Sequence, residues 1–308
     1  MALAYSPMHL FDLSNEDYHG DLSRVSKSGL DLLHRCPKRF KWELIDGNRR
    51  EPTEAMTIGT QAHVFTLEPG KISDHYMRAP QDAPKRPTER QLNAKKPSDE
   101  TIKAIEYWRD FDTISKEKEV LTAERWEQLE GMSRAVWDNR FARQLLEEDG
   151  WAESTLLWTH PESGIDCKTR PDWLLKDGSI MVDLKTTKDA GPAFERSAMA
   201  FRYHVQAAFY MKAAEVALGQ RPDKFIFLCV EKEPPFLCSV YVADEELIRA
   251  GEEEMETDLQ VLQACRNTQQ WPDYGDTVRP LRLPPWMRKQ REAQAPTPSQ
   301  PINTDLVF

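Results

Sequence analysis

Apolar residues along the chain group first at helical spacing and then, past about residue 150, at strand spacing. Ser26 or Ser28 can cap a helix through Gly29, Leu30, Asp31, Leu32 and Leu33, with Pro37 interrupting or restarting it. A second helix is predicted over residues 59–69, GTQAHVFTLEP. Residues 122–146 place Trp126, Leu129, Met132, Val136 and Leu145 on one stripe of a third. Between these, residues 82–98 are rich in Pro, Lys and Arg with few apolar positions, the composition of a mobile excursion. Strand patterns begin at Trp151 with WAESTLLWT, continue through RPDWLLKDGSIMVDLKTT, and return as KFIFLCVEKEP and PFLCSVYVA. The helical FRYHVQAAFYMKAAEVALG stands between them, and a long acidic helix follows over residues 244–265. Helices, three strands, a helix, two strands and a helix predict an α/β sandwich. One domain over residues 1–285 is expected, helical to about residue 148, and the Pro- and Gln-rich residues 286–308 read as a disordered tail.

The middle of this pattern carries chemistry. Trp173, Leu174 and Leu175 face Ile180, Met181 and Val182 across Asp177-Gly178, a strong signal for a two-residue hairpin turn. That register sets Asp172 opposite Asp183, and Lys185 shares their face, because side chains alternate along a strand. Val182 and Leu184 then point into apolar packing, leaving one charged face and one greasy face. A three-residue loop would instead turn Asp172 to the wrong face. Two opposed carboxylates call for positive charge between them. Lys185 and a metal ion are the candidates. Mg²⁺ accepts two carboxylates and keeps its waters, which would free Lys185 to position or deprotonate an attacking water beside a phosphodiester.

Composition changes this picture only in part. At 40% hydrophobic and 30% charged, 308 residues describe a globular chain without a membrane-length apolar run. The start, MALAYSPMHLFDLSNEDY, has no basic n-region, so no signal peptide and a cytosolic location are expected. Five widely spaced cysteines without a C-x-x-C argue against disulfides or structural zinc. A net charge of -10 speaks against nucleic acid, but net charge is not local field. HRCPKRFKWE gathers Arg35, Lys38, Arg39 and Lys41 around Phe40 and Trp42, either a nucleic-acid patch or a solvated helix face with two core aromatics.

Other residues could join the hairpin. Glu153 lies in the preceding strand, aimed at the same site or merely half exposed. Tyr203, Gln206 and Tyr210 share a helix face, where Gln and Tyr can bond a phosphate, a water or a carboxylate. His63 sits in a small, apolar helix, as a core residue or as a ligand that suits Mn²⁺ better than Mg²⁺. No phosphate loop for ATP, no nucleophile elbow and no H-E-x-x-H helix is present.

RPD at 170–172, DLKTT at 183–187 and QAAFY at 206–210 resemble the PD-(D/E)xK nuclease superfamily, in the branch of RecB-type nucleases and the RecE exonuclease. SKSGLDLLHRCPKRFKWE and IGTQAHVFTLEP are similar to N-terminal motifs of RecE-like phage and prophage exonucleases, and the likeness spans about residues 20–275. The resemblance implies a restriction-endonuclease-like core, a mixed sheet flanked by helices, with a helical N-terminal elaboration. It implies that His63, Asp172, Asp183 and the carbonyl of Leu184 bind Mg²⁺ or Mn²⁺, that Lys185 helps activate water, and that Glu153, Gln206 and Tyr210 support the site. DNA contacts are expected from Ser28, Arg35, Lys38, Arg39, Lys41, Arg170 and Lys188. The implied reaction is hydrolysis of double-stranded DNA ends from the 5′ strand, by a ring-shaped homo-oligomer working with a RecT-like single-strand annealing protein. Neither an iron–sulfur cluster nor ATP is expected, since only Cys265 lies near the usual cluster end. A repair or defence nuclease, or a silent DNA-binding scaffold, are the alternatives.

Overall fold

The computed structural model describes residues 8–11, 13–276 and 278–294. Residues 1–273 form one compact unit and 274–308 a second, smaller one. In the first unit the chain opens with β1 (Met8–Leu10), α1 (Asn15–Gly20), α2 (Lys27–Arg35) and α3 (Pro37–Phe40). Ser26 caps α2 by accepting from the Gly29 N–H, and Pro37 restarts the helix at the first position of α3, as its missing N–H allows. A π-helical turn, Lys41–Ile45, follows, then α4 (Glu54–Leu67), α5 (Ile72–His75), β2 (Tyr76–Arg78) and α6 (Glu89–Leu92). The helix around His63 thus starts five residues before the predicted 59, because Thr53 caps it. Residues 82–98 are not a free excursion. Arg86 makes a double hydrogen bond to Asp112 and lies 4.3 Å from the Trp108 ring, pinning the segment to α7 (Asp99–Ile114).

After β3 (Glu119–Leu121), the predicted helix at 122–146 is broken into α8 (Ala123–Asp138) and α9 (Arg140–Glu147) by Asn139, whose side chain caps the second. Leu129, Met132 and Val136 are buried as the stripe requires, and Leu146 rather than Leu145 completes it. The strands are more numerous than the pattern suggests: β4 (Gly150–Ala152), β5 (Thr155–Thr159), β6 (Asp166–Thr169), β7 (Trp173–Leu175) and β8 (Ile180–Thr187). Then come α10 (Phe194–Ala200), α11 (Tyr203–Leu218), β9 (Lys224–Glu231), β10 (Cys238–Val242) and α12 (Glu245–Thr268). In the second unit α13 (Pro285–Gln294) is helical where the sequence suggests disorder. The rest of the expected tail, 295–308, lies outside the described residues. Among the described residues no helix is long and apolar enough to cross a membrane.

The five-stranded sheet has the order β10-β9-β8-β7-β4, with β8 and β9 parallel and the other neighbours antiparallel. β1, β5 and β6 form a separate three-stranded sheet. WAESTLLWT is therefore two strands in two sheets. The hairpin register is the one the sequence implies, Trp173 opposite Val182 and Leu174 opposite Met181. Its loop is wider than Asp177-Gly178, however, because the Gly178 N–H closes a turn on the Leu175 carbonyl and Asp177 accepts from the Ser179 N–H. Gly178 takes a φ of 74°, which favours glycine.

The expectation of one charged and one greasy face needs correction. Val182, Leu184, Ile226, Leu228 and Val230 pack into one cluster with α4 and α8, while Met181, Phe225, Phe227 and Cys229 pack into another with α11 and α12. A parallel pair covered on both faces reads as a continuous apolar run, as FIFLCV does. The charged face is only the part of the second side that holds Asp183 and Lys185.

α11 is buried along most of its length, with Ala207, Ala208, Ala213 and Ala214 fully enclosed. α12 crosses it at Gly251, where an added Cβ would stand 2.1 Å from the His204 carbonyl oxygen. Gly251→Ala therefore forces the helices apart. The expected loss is about 1–3 kcal/mol of unfolding free energy, measured by urea denaturation, and an unchanged midpoint would show that the crossing yields without cost.

Candidate active site

The hairpin register puts Asp172, at the mouth of β7, beside Asp183 on β8, and both are almost fully buried. Asp172 Oδ2 accepts the Leu184 N–H at 2.6 Å and lies 3.5 Å from His63 Nε2. His63 comes from α4, and its Nε2 also meets the Leu184 carbonyl at 3.0 Å while Nδ1 meets Glu153 Oε1 at 3.1 Å. All the neighbours of this imidazole are acceptors, so both ring nitrogens donate. Burial alone would lower the His63 pKa, but Asp172 and Glu153 outweigh it and raise it to about 10. Burial, and then the Asp183 charge, push Asp172 well above the usual carboxylate range.

Glu153 reaches this point by a backbone device. Its N–H donates to the Asp172 carbonyl at 3.1 Å, extending the β4–β7 pairing by one step, and its φ of 48° then turns the chain out into the other sheet. A left-handed glutamate is strained, and such strain gathers at functional sites. Glu153, expected within a strand and either aimed at the site or half exposed, thus lies at a break between β4 and β5 and does face His63. Without a Gly or Pro, nothing in WAEST marks the break.

Asp183 is engaged separately. Gln206 of α11 donates to Oδ1, and the Lys185 ammonium pairs with Oδ2. Burial would discharge Lys185, but Asp183 and Asp172 keep its pKa above the ordinary lysine value. Its Nζ also lies 4.8 Å from the centre of the Tyr203 ring. Tyr210 is half-buried on the same helix face, where loss of solvation and then Tyr18, Asp183 and Asp172 raise its pKa well above 10.

The ligand atoms of His63, Glu153 and Asp172 all lie within 4.8 Å of one another. His63 Nε2, Asp172 Oδ2 and the Leu184 carbonyl converge where a hard cation could replace the Nε2 proton. The Nδ1–H of His63 would then still donate to Glu153, the carboxylate–imidazole–metal arrangement that fixes a ligand ring. The donor set, mostly oxygens with one imidazole, fits Mg²⁺ or Mn²⁺. Asp183, expected as a ligand, is not one of the three that converge, its oxygens being turned to Gln206 and Lys185.

The expected DNA contacts divide. Arg170 is buried and bonded to Thr155 Oγ1, Asn15 Oδ1 and the Leu13 carbonyl, with its guanidinium 4.2 Å from the Tyr18 ring. Its donors tie α1 to the small sheet, so it is not a surface contact for DNA. In the basic and aromatic patch, Phe40 is core and stacks on Trp271, whereas Trp42 is exposed. Lys38 pairs with Asp273 and Lys41 with Asp46, while Arg35 stays exposed and Arg39 half-buried. Ser28 and Lys188 are exposed. Sequence reasoning missed Lys27, whose ammonium binds Asp31 and lies 5.6 Å from the Tyr203 ring, and Tyr18, which Arg170 and Lys168 both contact. Lys27 stands one place before Ser28 in SKSGL, close enough to have been included.

A buried carboxylate pair on a central mixed sheet, with a lysine two residues past the second aspartate, is the PDDEXK arrangement. The chain belongs to the family of the PDDEXK-like domain of unknown function (DUF3799), whose model matches residues 26–284. A crystal structure from Eubacterium rectale, described as a "putative exonuclease", is similar in fold, with a TM-score of 0.57 over 91% of this chain and 98% of that chain at 11% identity. The structure of SSO0001 matches 51% of this chain and 69% of that chain at 14% identity, with a TM-score of 0.26. No curated protein matches the chain.

Cation binding can be read without any reaction. Mn²⁺ or Mg²⁺ should raise the Tm of the wild type, with about 2.7 kcal/mol of stabilisation at a hundredfold excess over Kd. His63→Ala and Asp172→Asn should abolish most of that rise, and Glu153→Gln should weaken cation affinity roughly 10–100-fold. An undiminished shift in Asp172→Asn would exclude the site described.

Proposed function

We propose that the protein is a divalent-metal-dependent deoxyribonuclease, an exonuclease that shortens the 5′ strand at double-stranded DNA ends. The observation that carries this reading is the convergence of His63, Glu153, Asp172 and the Leu184 carbonyl beside a charged Lys185. When bound, Mg²⁺ or Mn²⁺ supplies a Lewis acid at the phosphate and eases ionisation of water at neutral pH. His63, Asp172 and the Leu184 carbonyl hold the cation, and Glu153 orients His63 through Nδ1. Lys185, fixed by Asp183, presents its ammonium to the attacking water or to the charge that develops on phosphate. Gln206 fixes Asp183 from the other side, and Tyr210 supports the site from the same face of α11.

Double-stranded ends, the 5′ strand, a DNA-enclosing ring and a RecT-like annealing partner in the cytoplasm of a phage-bearing bacterial host are supported by the likeness of the N-terminal motifs to RecE-like enzymes. The name of the Eubacterium rectale relative supports an exonuclease. A ring would reconcile a net charge of -10 with a basic channel.

The test is digestion of a linear duplex labelled separately at its 5′ and 3′ ends, with Mg²⁺ or EDTA, beside a closed circle. Cation-dependent release of the 5′ label with the circle intact is expected. Lys185→Ala should lower turnover about 100-fold or more while keeping the cation-induced rise in Tm. Cutting of the circle would indicate a repair or defence endonuclease, and no cleavage with either cation would leave a silent DNA-binding scaffold.

A further inference from the structure

Arg202 caps α11 in the left-handed conformation, with φ 54°, which L-residues avoid. Three carboxylates hold it there: Asp31 of α2 at 3.1 Å, and Glu254 and Asp258 of α12 at 3.0 and 2.6 Å. The backbone just before it is fixed as well. Lys27 Nζ donates to the Phe201 carbonyl at 2.6 Å, and the Phe201 N–H donates to the Ser197 carbonyl at 2.9 Å.

This clamp turns Phe201 outward, 61% exposed, while Tyr203 two residues later goes inward. The two rings stack with centroids 5.8 Å apart and 24° between planes, and Tyr203 stacks in turn on Phe227. Lys185 Nζ sits on the same Tyr203 ring at 4.8 Å. A lone exposed phenylalanine is ordinary. This one is held rigidly from two sides and stands a single ring away from the lysine of the site, where its position adds nothing to the core. Aromatic faces presented beside a phosphate path are what single strands stack their bases on, whatever the base.

We infer that Phe201 is a stacking platform for the nucleobase flanking the phosphate at Lys185, and that Arg202 is the positioning residue that holds it there. The inference rests on the nuclease reading and deepens it. It makes seating of the strand sequence-tolerant, since every base offers a π-face.

The experiment scans a single abasic position along a fluorescent oligonucleotide and measures binding by the full chain, in Ca²⁺ or EDTA so that no cleavage intervenes. Wild type should bind about tenfold more weakly when the abasic position falls at Phe201, the size of one lost base–aromatic stack. Phe201→Ala should bind the intact strand about tenfold more weakly and be blind to that position. Phe201→Trp should restore both affinity and sensitivity, and Phe201→Leu neither. On a cleavable substrate Phe201→Ala should raise KM about tenfold with kcat within about twofold. Equal abasic sensitivity in wild type and Phe201→Ala, rescue by Leu, or a lower oligomeric mass of Phe201→Ala in gel filtration would overturn the inference, the last by assigning Phe201 to a contact between copies. An abasic pattern in a wild type that cleaves nothing would sink the nuclease reading and keep the platform. Cleavage indifferent to Phe201 would do the reverse.

Discussion

Two buried carboxylates on neighbouring strands persist only if each has positive charge or a proton beside it. Leaving Asp172 or Asp183 ionised and unpaired in a water-poor interior would cost several kcal/mol. The fold meets this requirement with cations drawn from different elements. His63 comes across from α4 to Asp172, and Lys185 stays on β8 with Asp183. Backbone groups share the task, since the Leu184 N–H binds Asp172 and the Leu184 carbonyl binds His63. One residue of β8, pointing its own side chain into the apolar cluster on the far face, thus organises the charges on the near side.

The cost of building that arrangement appears in the backbone. Among the described residues four that are not glycine have positive φ, and two of them, Glu153 and Arg202, lie at or beside the site. Each pays on the order of 1–2 kcal/mol for the left-handed conformation. Glu153 is thereby delivered to His63 at the point where the chain leaves one sheet for another. Arg202 marks the start of α11, the helix that supplies Tyr203, Gln206 and Tyr210. The close α11–α12 crossing at Gly251 and the three carboxylates on Arg202 keep that helix from shifting along the sheet.

At 11% identity, the Eubacterium rectale structure shares architecture over nearly its whole length, while little of the sequence is common. Packing patterns explain such tolerance. Many apolar residues can fill the two faces of a sheet if volume and alternation are kept. The charged cluster is less forgiving, because each carboxylate needs a partner at a defined atom.

Much of the site was legible in local sequence. The turn signal at Asp177-Gly178 and the two apolar runs dictate the strand pairing, so Asp172, Asp183 and Lys185 follow from alternation alone. The helix at 203–218 is equally local, and its i, i+3, i+7 spacing already puts Gln206 and Tyr210 on one face. His63 and Glu153 were visible only as candidates, since their meeting joins residues ninety positions apart through a helix and a strand break that no residue type announces. Arg170 was misread for the same reason: an arginine in a motif looks available until α1 folds over it. Local sequence determined which side chains share a strand or helix face, because those periods are fixed by backbone geometry. Only the tertiary structure decided which charges would be buried together and which backbone would be strained to join them, because those depend on how distant segments exclude water from one another.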